Sequence, residues 1–377
     1  MPTSKPSIFL ISTSLLFATL IAANNLLKEQ TLVIATLITL GGLLGATLNY
    51  FQFGFSSSFR SLLTDRKTAG MRAIIWMLAL AIILFAPLLA FSEAISTQPT
   101  GFIRTLSLAI PIGAFLFGIG MQIGCGCTSG TLNRVGQLQP LSFTTLFFMV
   151  IGGSVAAYTY SGWQHLPELE PFAFQNQFGW VMGVVIQLSI LFLLYQWLNK
   201  IERKRHTTVK PLIHPQRRWH PFLLAAFGLA TFNTLLLWIS GSPWSISSIF
   251  PYWGTRLIDA LHLPIDWGFW DYAMENSTHL ALGPFENTVS LTTMGVIAGA
   301  FAVSLFKPRS KVPVNLKGVM GSVIGGTIMG FGAVMASGCN IGAFFSGIAS
   351  GSLHGWVWFV FALLGNGIGV YLRRYVA

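Results

Sequence analysis

Two cysteines of this 377-residue chain stand in matching surroundings, each after a glycine and before residues that cap helices well. Cys127 lies in Gly126-Cys127-Thr128-Ser129-Gly130, and Cys339 in Ser337-Gly338-Cys339-Asn340-Ile341-Gly342. Thr128, Ser129 and Asn340 suit the N-cap position. A short helix starting beside each cysteine would aim unpaired N–H groups and a positive dipole end at one spot, which suits an anion. A lone thiol in a membrane helix is commonly a small hydrophobe; the repeated placement points to a site instead. Cys125 has Ser337 as its counterpart and is either a packing residue or an extra thiol of the path. Its C-x-C spacing with Cys127 lacks a nearby His or acid, so it is weak as a metal signal. A disulfide between residues 125 and 127 would be strained. No cofactor is indicated.

Ionisable residues inside a membrane are functional candidates. Arg134 lies in the polar segment 128–140, and His354 follows the polar segment 340–351. Each is either part of the path or a headgroup contact at the interface. His279 and Glu286 fall in the polar stretch 275–287, which reads as a loop. The sequence holds no Ser/His/Asp set, carboxylate pair, P-loop or dinucleotide fingerprint, so hydrolysis, ATP coupling and nicotinamide chemistry have no support.

The elements that position these residues are membrane helices. The chain is 53% hydrophobic and 9% charged, with a mean hydropathy of +0.66. A soluble domain carries about 25% charged residues, so a cytosolic enzyme, a nucleic-acid binder and a disordered chain are excluded. The surrounding partner is a lipid bilayer. At about 20 apolar residues per crossing, ten spans are expected: 8–25, 31–49, 72–93, 102–123, 141–161, 176–198, 220–240, 289–306, 317–336 and 352–372. The N-terminal run resembles a signal peptide but lacks a convincing cleavage site, so it reads as a retained helix.

Most of the Lys and Arg behind the net charge of +11 gather in clusters that each follow an even-numbered span: 60–72, 200–218, 307–317 and 373–374. The positive-inside rule then places all four clusters, and both termini, in the cytoplasm. The basic stretch 199–219 divides the chain into 1–198 and 220–377, five spans each. At an offset of 212 residues, Gly113, Gly118, Gly120, Gly126, Cys127 and Gly130 fall on Gly325, Gly330, Gly332, Gly338, Cys339 and Gly342, and Gly153 on Gly365. An odd number of spans per half makes equivalent helices run in opposite directions, the inverted-repeat plan of many transporters. The expected fold is an all-α polytopic membrane protein. It has about ten transmembrane spans in two inverted repeats, with short re-entrant helices near 128–140 and 340–351. Such irregular backbone at membrane depth must line a cavity or be buried in protein.

The stretches 126–130, 337–348 and Ser352-Leu353-His354-Gly355-Trp356 resemble the YeeE/YedE family of sulfur-transport membrane proteins. Gly54-Phe55-Ser56-Ser57-Ser58-Phe59-Arg60 is similar to that family's first re-entrant motif, C-F-x-x-x-F-R, and adds a re-entrant segment near 51–62. The resemblance covers roughly 40–161 and 265–372. It implies a bacterial inner-membrane uptake protein for an inorganic sulfur compound, thiosulfate in one branch and with links to selenium in others. It also implies passage along midplane thiols, with Cys127 and Cys339 as two of them. The family's outer cysteine falls on Gly54, so a complete three-thiol relay is missing and Ser56, Ser57 and Ser58 become the nearest substitutes there. Thiosulfate has a soft terminal sulfur and three oxygens. A thiol donates weakly to the former, while Thr128, Ser129, Asn340 and the N–H groups after Gly126 and Gly338 meet the latter.

The leading expectation is uptake of thiosulfate or a related anion. The alternatives are a selenium-containing anion, or a membrane-bound thiol enzyme for persulfide or sulfurtransfer chemistry with Cys127 as nucleophile. No His lies near Cys127 in sequence, and a nucleophilic thiol needs a base or a lowered pKa. A soluble sulfur-carrier protein is a candidate cytoplasmic partner for the 199–219 loop, whose plainer role is orientation.

Overall fold

The computed structural model describes residues 29–124, 126–206, 209, 211–212, 219–283, 285–307 and 313–376. The expected span 8–25, Cys125 and most of the linker after residue 206 lie outside the described residues. Twelve longer helices carry the fold: α1 Glu29–Tyr50, α2 Phe55–Asp65, α3 Ala69–Ala90, α4 Ala109–Ile123, α5 Thr128–Gly136, α6 Pro140–Tyr158, α7 Trp180–His206, α8 Pro221–Ser240, α9 Ile249–Ala260, α10 Thr288–Phe306, α11 Leu316–Met335 and α12 Leu353–Val376. A π-helical segment, Asn340–Gly347, lies between α11 and α12. Among the described residues, nine helical stretches are long and apolar enough to cross a membrane. The chain has an all-α polytopic membrane fold.

Local chemistry sets the helix starts. Pro140 and Pro221 open α6 and α8, where a missing N–H costs nothing. Asn287 and Asn315 cap α10 and α11 by accepting from the N–H groups of Ser290 and Gly318. The expected span 102–123 is corrected: its helix begins only at Ala109. Arg104, Thr105 and Ser107 break the apolar run, and the Ser107 hydroxyl accepts from the Ala109 N–H at 3.2 Å. Residues 106–107 instead pair antiparallel with 168–169.

The helices meet across the two halves. Helix α1 packs on α10 and α8 on α3; α4 packs on α12 and α11 on α6; α2 meets α12 and α9 meets α6. If α1, α2, α3, α4 and α6 are matched in order with α8 to α12, each of these contacts has a twin with the halves exchanged.

The glycines of the repeated signature make the central crossing of α4 and α11. A Cβ on Gly120 would sit 2.7 Å from the Gly325 carbonyl oxygen, and one on Gly113 2.8 Å from that of Gly332. Since Gly113 and Gly120 correspond to Gly325 and Gly332, each glycine faces the counterpart of the other. Small residues permit backbone-to-backbone approach where lipid supplies no hydrophobic drive between helices. The α1–α10 crossing uses the same device, with Gly41 and Gly45 on the carbonyls of Thr292 and Val296.

Helix α7 is the least embedded, with 22% of its apolar window buried. A buried ion pair ties its end to α3: Arg72 Nη2 lies 3.1 Å from Glu202 Oε2, with side chains 3% and 2% exposed. Thr68 also donates to Glu202. Arg72 is therefore neutralised inside the fold rather than serving as a free orientation charge. Removing one partner of such a pair leaves a buried charge uncompensated. Glu202→Ala is expected to destabilise the protein by about 3–5 kcal/mol, read as a lowered melting temperature in detergent. Arg72→Met/Glu202→Leu should recover much of that loss.

Candidate functional site

Helix α4 stops at Gly124, and α5 starts with Cys127 as its N-cap, in extended backbone at φ −81° and ψ 176°. The Cys127 sulfur accepts from the Gly130 N–H at 3.4 Å. Cys339 is the N-cap of the π-helical segment and accepts from the Ile341 N–H, also at 3.4 Å. The widened turn is visible at the Cys339 carbonyl, which accepts from Ala343 at 2.9 Å and from Phe344 at 3.3 Å. Thus each cysteine caps a short helix, with sulfur where Ser or Asp would ordinarily place oxygen.

The two caps meet. Asn340 Nδ2 donates to Ser129 Oγ at 3.4 Å, and that hydroxyl lies 3.4 Å from the Cys127 sulfur. Thr128 lies beside the Cys339 thiol. Cys127, Thr128, Ser129, Cys339 and Asn340 are each at most 1% exposed. Asn340 Oδ1 is buried without a hydrogen-bond partner, and Thr128 Oγ1 has only the weakly bonding Cys339 thiol beside it. Native structures rarely leave such atoms unsatisfied, because each costs about 1–3 kcal/mol. The cluster therefore offers two soft sulfurs and an uncommitted oxygen in one dry location. Its glycines are geometric: a Cβ on Gly338 would lie 2.6 Å from the Ala343 nitrogen, while one on Gly126 would meet Thr131 Oγ1 at 3.4 Å.

The other expected residues are placed differently. His354 opens α12, fully buried; its Nδ1 lies 3.4 Å from Ser352 Oγ and its Nε2 has no partner. Arg134 is half-buried in the last turn of α5, a favourable place for a cation. The three serines of α2 are engaged with backbone: Ser56 donates to the Met121 carbonyl at 3.3 Å, and Ser57 and Ser58 to the Gly54 carbonyl at 2.9 and 2.8 Å. Gly54 has extended backbone at φ −141°, which any residue adopts, and a Cβ there would meet only the Ser57 side chain, 2.8 Å from its hydroxyl. Gly54→Cys is therefore expected to fold and to keep or raise thiosulfate uptake, checked by melting temperature and vesicle flux. A folded variant with collapsed uptake, beside a normal Ser56/Ser57/Ser58→Ala variant, would remove this segment from the outer path.

Sequence reasoning missed the buried polar brace behind the π-helical segment. Asn233 of α8 donates to Ser346 Oγ at 3.1 Å and accepts from the Trp244 N–H at 2.7 Å, while Ser346 donates to the Trp244 carbonyl at 2.6 Å. The available signal was a lone Asn within the apolar run 221–240. On the other side Gln122 donates to Asn366 at 2.5 Å and accepts from Arg60 at 3.0 Å.

These features define a multi-pass helical membrane protein in which two broken segments bring their capping thiols to a buried junction. The chain belongs to the sulphur transport family, whose model matches residues 52–368. It is 26% identical over 355 residues to the thiosulfate transporter TsuA of Spirochaeta thermophila, a match covering 89% of this chain and 97% of that one. It is 25% identical over 344 residues to the thiosulfate transporter TsuA of Escherichia coli, covering 86% and 90%. It is also 30% identical over 154 residues to the probable transporter YedE of Escherichia coli, a match spanning 40% of this chain and 37% of that relative. The family and these relatives are transporters, not enzymes.

Proposed function

We propose that this chain takes up thiosulfate across a bacterial inner membrane, by way of the Cys127–Cys339 junction. The observation that carries the reading is the junction itself. Sulfur caps both short helices, beside the Thr128 hydroxyl and the unpartnered Asn340 Oδ1. A dianion with one soft sulfur and three oxygens matches that donor set, and two helix starts supply partial positive charge. Contacts through thiols and N–H groups are weak, so an ion can leave as well as arrive. The two TsuA relatives are named as thiosulfate transporters and align along most of this chain.

The exchanged helix contacts and reciprocal glycines support two inverted repeats, 1–198 and 220–377, joined by a cytoplasmic linker at 199–219. In that reading the segments near 51–62, 128–140 and 340–351 are re-entrant, and both termini are cytoplasmic. A soluble sulfur carrier docking on the linker would receive the product. The functional test is growth. A bacterium lacking its own sulfate and thiosulfate uptake should grow on thiosulfate as sole sulfur source when it expresses this chain. Uptake of labelled selenite by cells expressing this chain, with no growth restored on thiosulfate, would replace the substrate.

A further inference from the structure

A cavity of about 270 Å³ opens beside the end of α11, lined among others by Arg104, Trp163, Ser245, Ser247, Ser248 and Ser337. Its wall thus reaches within two residues of Cys339. Arg104 is exposed to this space. Among the described residues it has no ion pair; the three present are Lys67–Asp65, Arg72–Glu202 and Arg256–Asp259. Its close contact is with an aromatic face, the guanidinium standing 4.5 Å above the Phe102 ring. Two carboxylates also line the cavity. Glu275 accepts from the Tyr160 hydroxyl at 2.6 Å, and Glu168 lies on the short strand pair. Neither pairs with Arg104. The Trp163 indole N–H, on the same wall, is buried with no partner.

Phe102 separates this cavity from the interior. Its backbone N–H donates to Ser350 Oγ at 2.9 Å, its ring lies 5.9 Å from His354, and its edge would touch a Cβ on Gly342 at 3.2 Å. The order from outside inward is therefore Arg104, Phe102, then the π-helical segment capped by Cys339.

We infer that this cavity is an outer capture site for a sulfur oxyanion, with Arg104 as its recognition cation, the serine hydroxyls and the Trp163 N–H as further donors, and Phe102 as the partition before the thiols. The inference rests on the thiosulfate reading above. A guanidinium holds an oxyanion through two parallel hydrogen bonds. The cavity contains no thiol, so it reads the oxygens and leaves discrimination by the terminal sulfur to the inner pair.

The test uses purified full-length protein, with thiosulfate as the probe. In vesicles, Arg104→Gln is expected to raise the half-saturating concentration for uptake by about tenfold or more, and Arg104→Lys by less, because a charge without the fork keeps part of the recognition. In detergent, a Cys127→Ala variant should still bind thiosulfate by calorimetry, and adding Arg104→Gln should abolish that binding. A folded Arg104→Gln variant with unchanged half-saturation and binding would overturn the capture site while leaving thiosulfate uptake intact. Arg104-dependent binding without uptake by the unmodified protein would keep the site and overturn the transport reading. If Arg104→Gln does not fold, Ser245→Ala/Ser247→Ala carries the same test: raised half-saturation supports the site, and unchanged half-saturation refutes it.

Discussion

Cys127→Ala is expected to cut thiosulfate uptake by roughly 10- to 100-fold, the value of one lost hydrogen bond to a charged group. The fold should survive. The substitution removes one sulfur from a buried position and the weak cap it makes with the Gly130 N–H, a loss of about 1 kcal/mol. A melting temperature close to that of the unmodified protein, with flux lowered by that factor, is the expected pair of measurements. Cys339→Ala should impair flux as well, since it removes the other capping thiol of the junction. Cys125→Ala should do so less. Full flux through a folded Cys127→Ala variant would end the thiol account.

The second large effect is structural. Gly325→Leu is expected to prevent recovery of monodisperse protein. A Cβ there would collide with the Gly124 backbone and lie 2.9 Å from the Gly120 carbonyl oxygen. Neither neighbour is a side chain that can rotate away. Overpacking ordinarily costs about 1–3 kcal/mol, and a clash of backbone on backbone at the crossing between the halves lies at or beyond the upper end. Gly367→Leu is the matched control: nothing lies within 4 Å of a Cβ at that position. Size-exclusion profiles should show the control intact and Gly325→Leu aggregated. Equal profiles would mean that the crossing of α4 and α11 is not as tight as described.

Much of this architecture is legible in the sequence because lipid imposes simple rules on helices. Every backbone polar group must be satisfied within the segment, so spanning runs such as 220–240 and 289–306 announce themselves by length and hydropathy. The place where each short helix begins was legible in the Gly-Cys repeat, but the capping residue was not: Cys127 and Cys339 cap the two segments, and Thr128 and Asn340, expected as caps, are their first helical residues. What escaped depends on partners far along the chain. Asn233 bonds Ser346, and Gln122 bonds Asn366, more than a hundred residues apart. No local pattern specifies such pairs. Arg104 escaped for a different reason: it sat inside an apolar window that averaged to a span, whereas strand pairing at 106–107 pulls it out of the helix. The serines of α2 carried the chemistry sought at Gly54, but local carbonyls take up their hydroxyls.

The central claim is that intact thiosulfate passes the thiol junction without being cleaved there. Vesicles containing only this purified protein can be given thiosulfate labelled at its terminal sulfur, and the lumen then separated and its sulfur species resolved. The expected result is labelled, intact thiosulfate accumulating inside until it equals the outside concentration, and an initial rate of accumulation lower by roughly 10- to 100-fold with Cys127→Ala. Label found on the protein, with sulfite released outside and none in the lumen, would contradict it and make the junction a site of sulfur transfer.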